Sequence, residues 1–341
     1  MQKKVSIKDI AKSVGVSTAL VSYVLNNKKE GRISKSVAEQ IRATARAMNY
    51  RTNQIAKSLK TNRTHTIGLV LADIANPFSA ALARVLEDEA DRFGYTVVFG
   101  SSDENPEKYK KILDALVNRQ ADGLILSPPQ HAEPQILALQ QQELPFVLID
   151  RYFPGISCNY VVLNNFKAAY DATEHLIKCG HTRVAIINYA SDLVHLQERT
   201  MGYRAAIRDH GLPPAEELVK ALPAIHLPQE TTQAVEQLLA LENPPTAIVF
   251  GSNVIAMHAV KYINGRGLRV PDQLALACFD ETDAFDLFYA PLTCLRQPIR
   301  EMGEMAVKLL LKAIEHPSNG HQQLQFNAEL IVRASSGSHT G

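Results

Sequence analysis

Seven short apolar runs constrain the fold of this 341-residue chain more than any other feature. They read THTIGLVLAD, YTVVFGSS, GLILSP, PFVLID, RVAIINY, TAIVFGS and LALACFD. Each has the pattern of a buried strand and is followed by a helical stretch, for example about Pro77–Phe93 and Pro106–Arg119. Strands that alternate with helices in this way indicate an open parallel sheet. The roughly 275 residues that carry the runs exceed one typical domain, which favours two lobes.

The first fifty residues have a different pattern. Ser6 and Asp9 form a predicted capping box at the start of one helix, and Ser17 is a predicted N-cap of a second helix. Gly15 lies between the two, and a third helix is predicted to begin at Ser34. In the second helix the aliphatic residues share one face, so the polar face is free to contact another molecule. Three short helices with one tight turn predict a helix-turn-helix unit, whose second helix enters the major groove of DNA.

The charge distribution supports this interpretation. Residues 1–63 contain 14 Lys and Arg but only three acidic residues, a net charge of +11, whereas the rest of the chain has a net charge of −10. A net charge near zero for the whole chain therefore conceals a basic module attached to an acidic body. A basic patch on a small helical unit is typical of nucleic-acid binding.

The stretch VSIKDIAKSVGVSTALVSYVLN, followed by RISKSVAEQIRATARAMNYRTNQIAKSLKT, resembles the headpiece of the LacI/GalR family of bacterial transcription regulators. The resemblance implies base contacts by Thr18, Ala19 and Tyr23. It implies contacts that are more often to phosphates for Ser17, Ser22, Asn26 and Lys35. Two residues depart from the family pattern: Leu20 replaces a usual Thr, and Tyr23 replaces a common Arg or His. Ala19 and Leu20 can offer only apolar contact, for example to a thymine methyl group, so the operator sequence cannot be copied from a relative.

Residues 52–63 read as a polar linker, but the resemblance implies a hinge helix that forms on DNA. In that interpretation Asn53, Ala56 and Leu59 match the hinge pattern, and Leu59 wedges between base steps in the minor groove. Lys57 replaces the usual Arg, which keeps the charge and loses the planar fork of donors.

The resemblance also implies an α/β core of two parallel sheets flanked by helices, similar to periplasmic binding proteins, after an all-α headpiece. The expected parts are a headpiece at 1–51, a hinge at 52–63, a core at 64–335 and a disordered tail at 336–341. Within the core, lobe one is expected at about 64–163 plus 293–322, and lobe two at about 164–290 plus 323–335. The interleaving of the lobes comes from the resemblance alone.

Open α/β sheets bind ligands at the carboxyl ends of their strands. The polar or aromatic residues that follow the apolar runs are Asp73, Asn76, Phe78, Ser101, Asp103, Asp150, Arg151, Ser252, Asn253 and Asp280. Each alone is typical of a loop or a helix cap, but together they resemble the sugar site of the family. The resemblance implies that Phe78 stacks on a sugar ring. It implies that hydroxyl pairs bind Asp150, Arg151, Arg199 and Asp280, because carboxylates and guanidinium groups offer paired acceptors or donors. Asn253, Gln297 and His226 are weaker candidates.

Other function classes find no support in the sequence. There is no apolar run of about 18 residues and no signal region, so we expect a cytoplasmic protein without a membrane partner. The cysteines, at positions 158, 179, 278 and 294, lack metal spacing and are expected to be reduced packing residues. There is no metal-binding histidine motif, no phosphate-binding glycine loop and no nucleophile elbow. We therefore expect neither a cofactor nor an enzymatic activity.

The leading hypothesis is a homodimeric repressor that binds a pseudo-palindromic DNA operator and is released by a small sugar or sugar derivative. A second hypothesis keeps the regulator but makes the effector a purine corepressor, although Leu193 lies where a base would need a donor. A third is a solute-binding protein of the same core fold, which the basic headpiece opposes. A fourth is an α/β enzyme with a DNA-targeting module. The sequence leaves dimer and tetramer both open, and a dimer is the default because no heptad tail follows residue 335.

Overall fold

The computed structural model describes residues 5–26, 33–50, 63–317 and 320–337 of the chain. The chain separates into two compact units, of which the first ends at Thr64 and the second begins at His65. We call the first unit the headpiece and the second the core.

The described residues of the headpiece form three helices, α1 (Ile7–Val14), α2 (Thr18–Leu25) and α3 (Lys35–Ala47). Gly15 ends α1 with a φ of 78°, a left-handed conformation that suits a residue without a side chain. This turn lets α2 leave at once in a new direction. The predicted helix-turn-helix arrangement is confirmed.

Side chains cap the headpiece helices as the sequence predicted. The backbone N–H and the hydroxyl of Ser6 both donate to the Asp9 carboxylate, at 2.8 and 2.7 Å. The Ser17 hydroxyl accepts from the backbone N–H of Leu20 at 3.2 Å. The three helices pack on a small shared core of buried aliphatic residues. Its members are Ile10, Ala11, Val21, Val24, Ile41 and Ala45.

The core contains the twelve strands of the described chain. They are β1 (Thr66–Leu71), β2 (Thr96–Ser101), β3 (Gly123–Leu126), β4 (Phe146–Ile149), β5 (Asn159–Leu163), β6 (Val184–Tyr189), β7 (Val219–Leu222), β8 (Ala247–Phe250), β9 (Ala275–Phe279), β10 (Thr293–Arg296), β11 (Gln323–Phe326) and β12 (Glu329–Ile331). The seven predicted apolar runs correspond to β1–β4, β6, β8 and β9, and these predictions are confirmed.

Eight α-helices connect and cover these strands. They are α4 (Pro77–Arg92), α5 (Pro106–Asn118), α6 (Glu133–Gln141), α7 (Asn165–Lys178), α8 (Val194–Asp209), α9 (Leu227–Leu239), α10 (Asn253–Gly265) and α11 (Ile299–Glu315). Local sequence fixes where several of them begin. In α4, for example, Asn76 is the N-cap and accepts from the Phe78 N–H at 3.0 Å, while Pro77 occupies the first turn, where its missing N–H costs nothing.

Two six-stranded sheets divide the core into two lobes. The first sheet has the order β11-β5-β4-β3-β1-β2 and the second has the order β12-β10-β9-β8-β6-β7. All pairs are parallel except β10 with β12. We call the first sheet with α4–α6 and α11 lobe one, and the second sheet with α7–α10 lobe two. Buried aliphatic clusters fill both faces of each sheet, as the near-continuous apolar runs predicted.

The lobes are interleaved, but the expected boundaries are wrong by one strand at two places. β10 was assigned to lobe one, whereas Thr293 pairs with Ala277 in the sheet of lobe two. β11 was assigned to lobe two, whereas Gln323 pairs with Tyr160 in the sheet of lobe one. Strand pairing decides lobe membership, and the chain passes between the lobes only after β5, after β10 and after β11.

The start of the expected tail also needs correction, because Ser335 and Ser336 are fully buried. The Ser335 hydroxyl donates to the Leu276 carbonyl at 2.7 Å, and the Ser336 hydroxyl lies 2.7 Å from that of Thr293. Both serines therefore belong to lobe two. Residues 338–341 lie outside the described residues.

Two further features bear on the sequence predictions. All four cysteines are free thiols, and three of them are buried, in line with the predicted packing role. Among the described residues, no helix combines the length and apolar character needed to cross a membrane.

Candidate functional site

The recognition helix α2 presents the predicted polar face. Thr18 and Ala19 are exposed, and Ser22, Tyr23 and Asn26 are half-buried along the same helix. The Asn26 amide donates to the Ser22 carbonyl at 2.7 Å, which holds its side chain against the end of the helix. Lys35 is exposed at the start of α3. These positions are compatible with the predicted DNA contacts, which stay predictions.

Leu20 is half-buried, and its side chain packs partly against the headpiece core. Ala19, beside it, is exposed. The apolar DNA contact expected from these two residues stays a prediction. The hinge candidates Asn53, Ala56 and Leu59, together with Lys57, lie outside the described residues, and the wedge stays a prediction.

The core contains a cavity of about 500 Å³ between its two lobes, which we call the cleft. Residues that follow the strands of both sheets line it, as expected for parallel sheets. Of the predicted residues, those lining the cleft are Asp73, Asn76, Phe78, Asp103, Asp150, Arg151, Arg199, Ser252, Asp280 and Gln297.

Two aspartates reach the cleft from opposite lobes by the same backbone device. Asp150 directly follows β4 with a φ of 67°, and Asp280 directly follows β9 with a φ of 66°. The N–H of Asp150 donates to the Val161 carbonyl, and that of Asp280 donates to the Leu295 carbonyl, so each backbone is tied to the adjacent strand. A left-handed residue turns the chain sharply, which explains why both carboxylates line the cleft.

Arg199, on α8, is the buried cation of lobe two. Its Nε donates to the Asn165 side chain at 2.9 Å and its Nη1 donates to the Gly251 carbonyl at 2.6 Å. The guanidinium also lies 4.0 Å from the centre of the Phe279 ring. These contacts fix the plane of the guanidinium where it lines the cleft.

Arg151, next to Asp150, is the corresponding cation of lobe one. Its two terminal nitrogens donate to both oxygens of Glu104, at 2.7 and 2.6 Å, in the paired geometry that suits arginine. Its Nε is buried and has no hydrogen-bond partner within the described structure.

The cleft alters the ionisation of its own groups. Burial raises the pKa of Asp150 to about 6, although Arg151 and Arg199 partly oppose this shift. Burial lowers the pKa of His195 well below its usual range, and the same two arginines lower it further. His195 is therefore a neutral ring at physiological pH. Burial also lowers the pKa of the Arg199 guanidinium, and the carboxylates of Asp280 and Asp150 oppose that change.

Three predicted residues do not line the cleft. Asn253 is fully buried, and its amide donates to the Asn76 side chain at 3.0 Å across the two lobes. Ser101 donates to Asp103 at 2.7 Å and so positions a lining residue. His226 is an exposed residue at the start of α9.

Sequence reasoning missed five polar residues that line the cleft. They are Glu104, Gln130, Tyr189, Ser191 and His195. Glu104, Gln130 and Tyr189 end or follow the predicted strands β2, β3 and β6, so the rule that found Asp150 could have found them. His195 lies in the first turn of α8 and carries no local signal.

Hydrogen bonds join the lobes beside the cleft. The Gln130 side chain accepts from the Ser191 hydroxyl and donates to Asp192, both at 3.2 Å. The Tyr152 hydroxyl donates to Glu198 at 3.2 Å. With the Asn253–Asn76 bond, these contacts hold the two lobes together around the cavity.

The fold and the cleft define a two-lobed ligand-binding core that is attached to a helix-turn-helix headpiece. Family models match both parts: "Bacterial regulatory proteins, lacI family" over residues 6–53 and "Periplasmic binding protein-like domain" over residues 173–336.

Among the relatives that match the chain over nearly its whole length are two regulators. The HTH-type transcriptional regulator DegA of Bacillus subtilis (strain 168) is 31% identical over 335 residues, which cover 97% of this chain and 98% of DegA. The HTH-type transcriptional repressor PurR of Haemophilus influenzae (strain PittEE) is 30% identical over 334 residues, with the same coverage. The chain belongs to the LacI family of bacterial regulatory proteins and is a DNA-binding transcription regulator.

Solved structures agree on the fold. A putative ribose operon repressor from Burkholderia thailandensis is 28% identical, with a TM-score of 0.72, over 79% of this chain and 99% of that protein. The lac repressor dimer bound to operator and the anti-inducer ONPF has a TM-score of 0.85 over 98% of this chain and 100% of that one. At 22% identity, the latter supports the fold alone.

Proposed function

We propose that this chain is a homodimeric repressor that leaves its operator when a neutral sugar binds in the cleft. The observation that carries the effector assignment is the convergence of Asp150 and Asp280 on one cavity from opposite lobes. A ligand that contacts both carboxylates stabilises the closed arrangement of the lobes, which is how a small molecule can shift a hinged core between states.

The polar groups of the cleft suit hydroxyl groups. Carboxylates accept hydrogen bonds from adjacent hydroxyls, and a guanidinium donates to their oxygens. The Gln297 amide donates to Asp280 at 2.6 Å, but its oxygen is buried and has no partner within the described structure. A buried acceptor without a partner costs about 1–3 kcal/mol, so a ligand hydroxyl that donates to it would gain affinity. Phe78 adds an aromatic surface for the apolar face of a sugar ring.

The charges of the cleft favour a neutral ligand over a sugar phosphate or a sugar acid. Five carboxylates line the cleft and only two guanidinium groups, and burial keeps His195 uncharged. One of the two guanidinium groups, that of Arg151, is already paired with Glu104. An anionic ligand would therefore meet more repulsion than attraction in a partly buried site.

The headpiece supports the DNA half of the proposal. Its second helix is short, so one copy reads only a few base pairs, and two copies related by a two-fold axis read a pseudo-palindromic operator. We assign base contacts to Thr18, Ala19 and Tyr23, and backbone contacts to the polar and basic residues around them. Asn53, Ala56 and Leu59 remain the proposed hinge contacts.

A purine corepressor is the second candidate, favoured by the apolar part of the cleft lining. Phe78, Leu193 and Leu196 give the cleft apolar surface that could contact a flat base. Against it, Leu193 has no side-chain donor or acceptor at the position where we expected a base to need one. The sign of the response separates the candidates, because a corepressor strengthens operator binding and an inducer weakens it.

The proposal gives the chain no enzymatic activity, in keeping with relatives that are transcription regulators. It places the protein in the cytoplasm, where operator DNA is accessible.

Two experiments test the proposal on the full chain. In the first, thermal shifts are measured with neutral sugars, sugar phosphates and nucleobases, and a true ligand at 100 times its dissociation constant adds about 2.7 kcal/mol of stability. In the second, an operator is selected from random duplexes and bound with and without that ligand. The proposal expects a neutral sugar to be the stabilising compound and to weaken operator binding.

The DNA contacts have their own test in salt. If two headpieces neutralise about 6–10 phosphates, operator affinity should fall about 10³–10⁵-fold between 50 and 200 mM salt. Tyr23→Ala should weaken specific binding by about 1–3 kcal/mol and leave non-specific binding nearly unchanged. A flat salt response would contradict the assignment of the headpiece surface.

A further inference from the structure

A second cavity of about 400 Å³ adjoins the cleft, and we call it the side compartment. It lies between the loops that follow β3 and β4 in lobe one and the start of α8 in lobe two. Gln130 and Leu193 line both cavities, so the two spaces share a wall. None of the residues that carried the sugar assignment lies in the side compartment.

The shared wall consists of groups that a ligand can replace. The Gln130 amide joins the Ser191 hydroxyl and the Asp192 carboxylate by two bonds of 3.2 Å, which are long for side-chain hydrogen bonds. An amide, a hydroxyl and a carboxylate are the groups that bind the oxygen atoms of carbohydrates. A ligand that extends from the cleft past Gln130 can therefore exchange these bonds for its own.

Aromatic and apolar side chains line part of the side compartment. They include Tyr152, Phe153, Leu137 and Leu193. The Tyr152 ring is held in place, because it packs on Tyr160 at a centroid distance of 4.7 Å and its hydroxyl donates to Glu198. Leu137 is 45% exposed, so part of this apolar surface faces solvent.

Polar side chains line the same compartment. His131, Glu133 and Asp192 add donors and acceptors to the lining. A pyranose ring likewise combines apolar C–H faces with a polar edge of hydroxyl groups. An entirely apolar group would satisfy the aromatic side chains and leave the polar residues desolvated without partners, which is costly.

We propose that the side compartment binds a second sugar ring of the effector, so that the effector is a neutral disaccharide or a longer glycoside. This inference rests on the proposed function. The cleft and the side compartment, at about 500 and 400 Å³, together reach the upper part of the 300–1,000 Å³ range of small-molecule sites. The first ring binds between Asp150 and Asp280, and the glycosidic bond passes Gln130.

Gly155 offers a clean way to fill the side compartment. It lines the compartment, its φ lies outside the left-handed region, and an added Cβ would meet no atom within 4 Å. Gly155→Leu should therefore fold normally and occupy the space of the second ring. Gly265→Leu is the matched control, because an added Cβ at Gly265 also meets no atom within 4 Å and this residue, at the exposed end of α10, lines neither cavity.

The experiment measures dissociation constants of the full chain by calorimetry. The probes are D-glucose, D-galactose and D-mannose, each compared with neutral disaccharides that contain it. We expect one disaccharide to bind at least tenfold more tightly than its component monosaccharides. Gly155→Leu should remove most of that difference without weakening the monosaccharide, and Gly265→Leu should retain it.

A second variant keeps the test independent of the first. Leu137→Ser removes an apolar side chain from the lining of the side compartment and should lower the affinity for the disaccharide about threefold or more. Leu287→Ser, at an 88% exposed leucine outside both cavities, should leave that affinity unchanged.

Equal affinity for monosaccharide and disaccharide would overturn the proposed second-ring site and leave the assignment of a sugar effector intact. Binding of no neutral sugar by the wild-type chain would overturn both. Tighter binding of a nitrophenyl monoglycoside than of any disaccharide would contradict the second sugar ring and show that the side compartment accepts an apolar group instead.

Discussion

Asp150 in lobe one and Asp280 in lobe two occupy corresponding points of the two sheets, yet their surroundings differ. Both follow a central strand in a left-handed conformation. Asp280 accepts a hydrogen bond from Gln297 at 2.6 Å. The charged partner of Asp150 is Arg151, whose Nε lies 3.7 Å from the carboxylate and whose terminal nitrogens donate hydrogen bonds to Glu104. One backbone conformation therefore brings the same group to a site from both sides, while the side chains around it give each carboxylate different partners.

The strongest test of this comparison removes the cation that both aspartates approach. Arg199→Leu should lower the free energy of unfolding by about 3–5 kcal/mol, because it leaves buried carboxylates without their counter-charge. Denaturant unfolding of the core measures the loss. Arg84→Leu is the control, since Arg84 forms an exposed pair with Glu87 on α4 and should matter little. A loss below about 1 kcal/mol in Arg199→Leu would show that the aspartates do not depend on it.

The second test uses pH. The folded pKa of Asp150 is about 6, above the ordinary value of 3.8, so the folded chain retains a proton that the unfolded chain releases between these values. The contribution of Asp150 to the free energy of unfolding is therefore present at low pH and is lost as the pH rises from about 4 to 6. The loss is about 3 kcal/mol at most. Asp150→Asn should abolish this contribution and be more stable than the wild type at pH 7.5. A difference that does not change with pH would contradict the assignment.

The third test concerns ligand affinity. Asp280→Asn removes one negative acceptor and should weaken the neutral sugar found by thermal shift by about 1.5–3 kcal/mol, or roughly 10- to 150-fold. Operator affinity without ligand should remain near that of the wild type, which gives a regulator that no longer responds to its inducer. Calorimetry and gel shifts measure the two properties. Normal ligand binding by Asp280→Asn would mean that the effector lies elsewhere.

The smallest expected effect concerns the contact between the lobes. Tyr152→Phe removes the hydrogen bond to Glu198. The free energy of ligand binding should become less favourable by about 0.5–1.5 kcal/mol, which is a roughly 2- to 10-fold loss of ligand affinity. Tyr160→Phe is the matched control, because the Tyr160 hydroxyl donates to Gln323 within lobe one. Equal effects of the two changes would show that the lobes do not use the Tyr152 bond when they close.

Local patterns predicted the parts of this molecule that local physics determines. The capping residues Ser6 and Ser17, the turn at Gly15 and the strands with apolar runs all followed from a few neighbouring residues. The patterns did not predict β5, β7, β10, β11 and β12, and β7, for example, reads only VKAL. The lobe boundaries, which came from the resemblance alone, were wrong at β10 and β11. A short strand does not encode its partner, because contacts distant in sequence choose it.

The candidate site shows the same division. The strand-end rule placed Asp150, Asp280 and Phe78 in the cleft because parallel strands end at one edge. It misjudged Asn253, whose amide instead joins the lobes through Asn76. Nothing in the local sequence indicates that a partner 177 positions away will use this side chain.

The interleaved path of the chain has a consequence for its synthesis. In lobe one, β5 emerges from the ribosome long before α11 and β11, which complete that lobe. Lobe two is completed later still, by β12 and the buried serines at 335 and 336. At about 5–20 residues per second, the delay between residues 163 and 326 is roughly 8–30 s. Throughout that time the nascent core exposes an apolar sheet face that only its last residues can cover. The headpiece can fold as soon as it has been synthesised. A ribosome that pauses while it translates the core therefore carries a folded DNA-binding module joined to an incomplete effector domain.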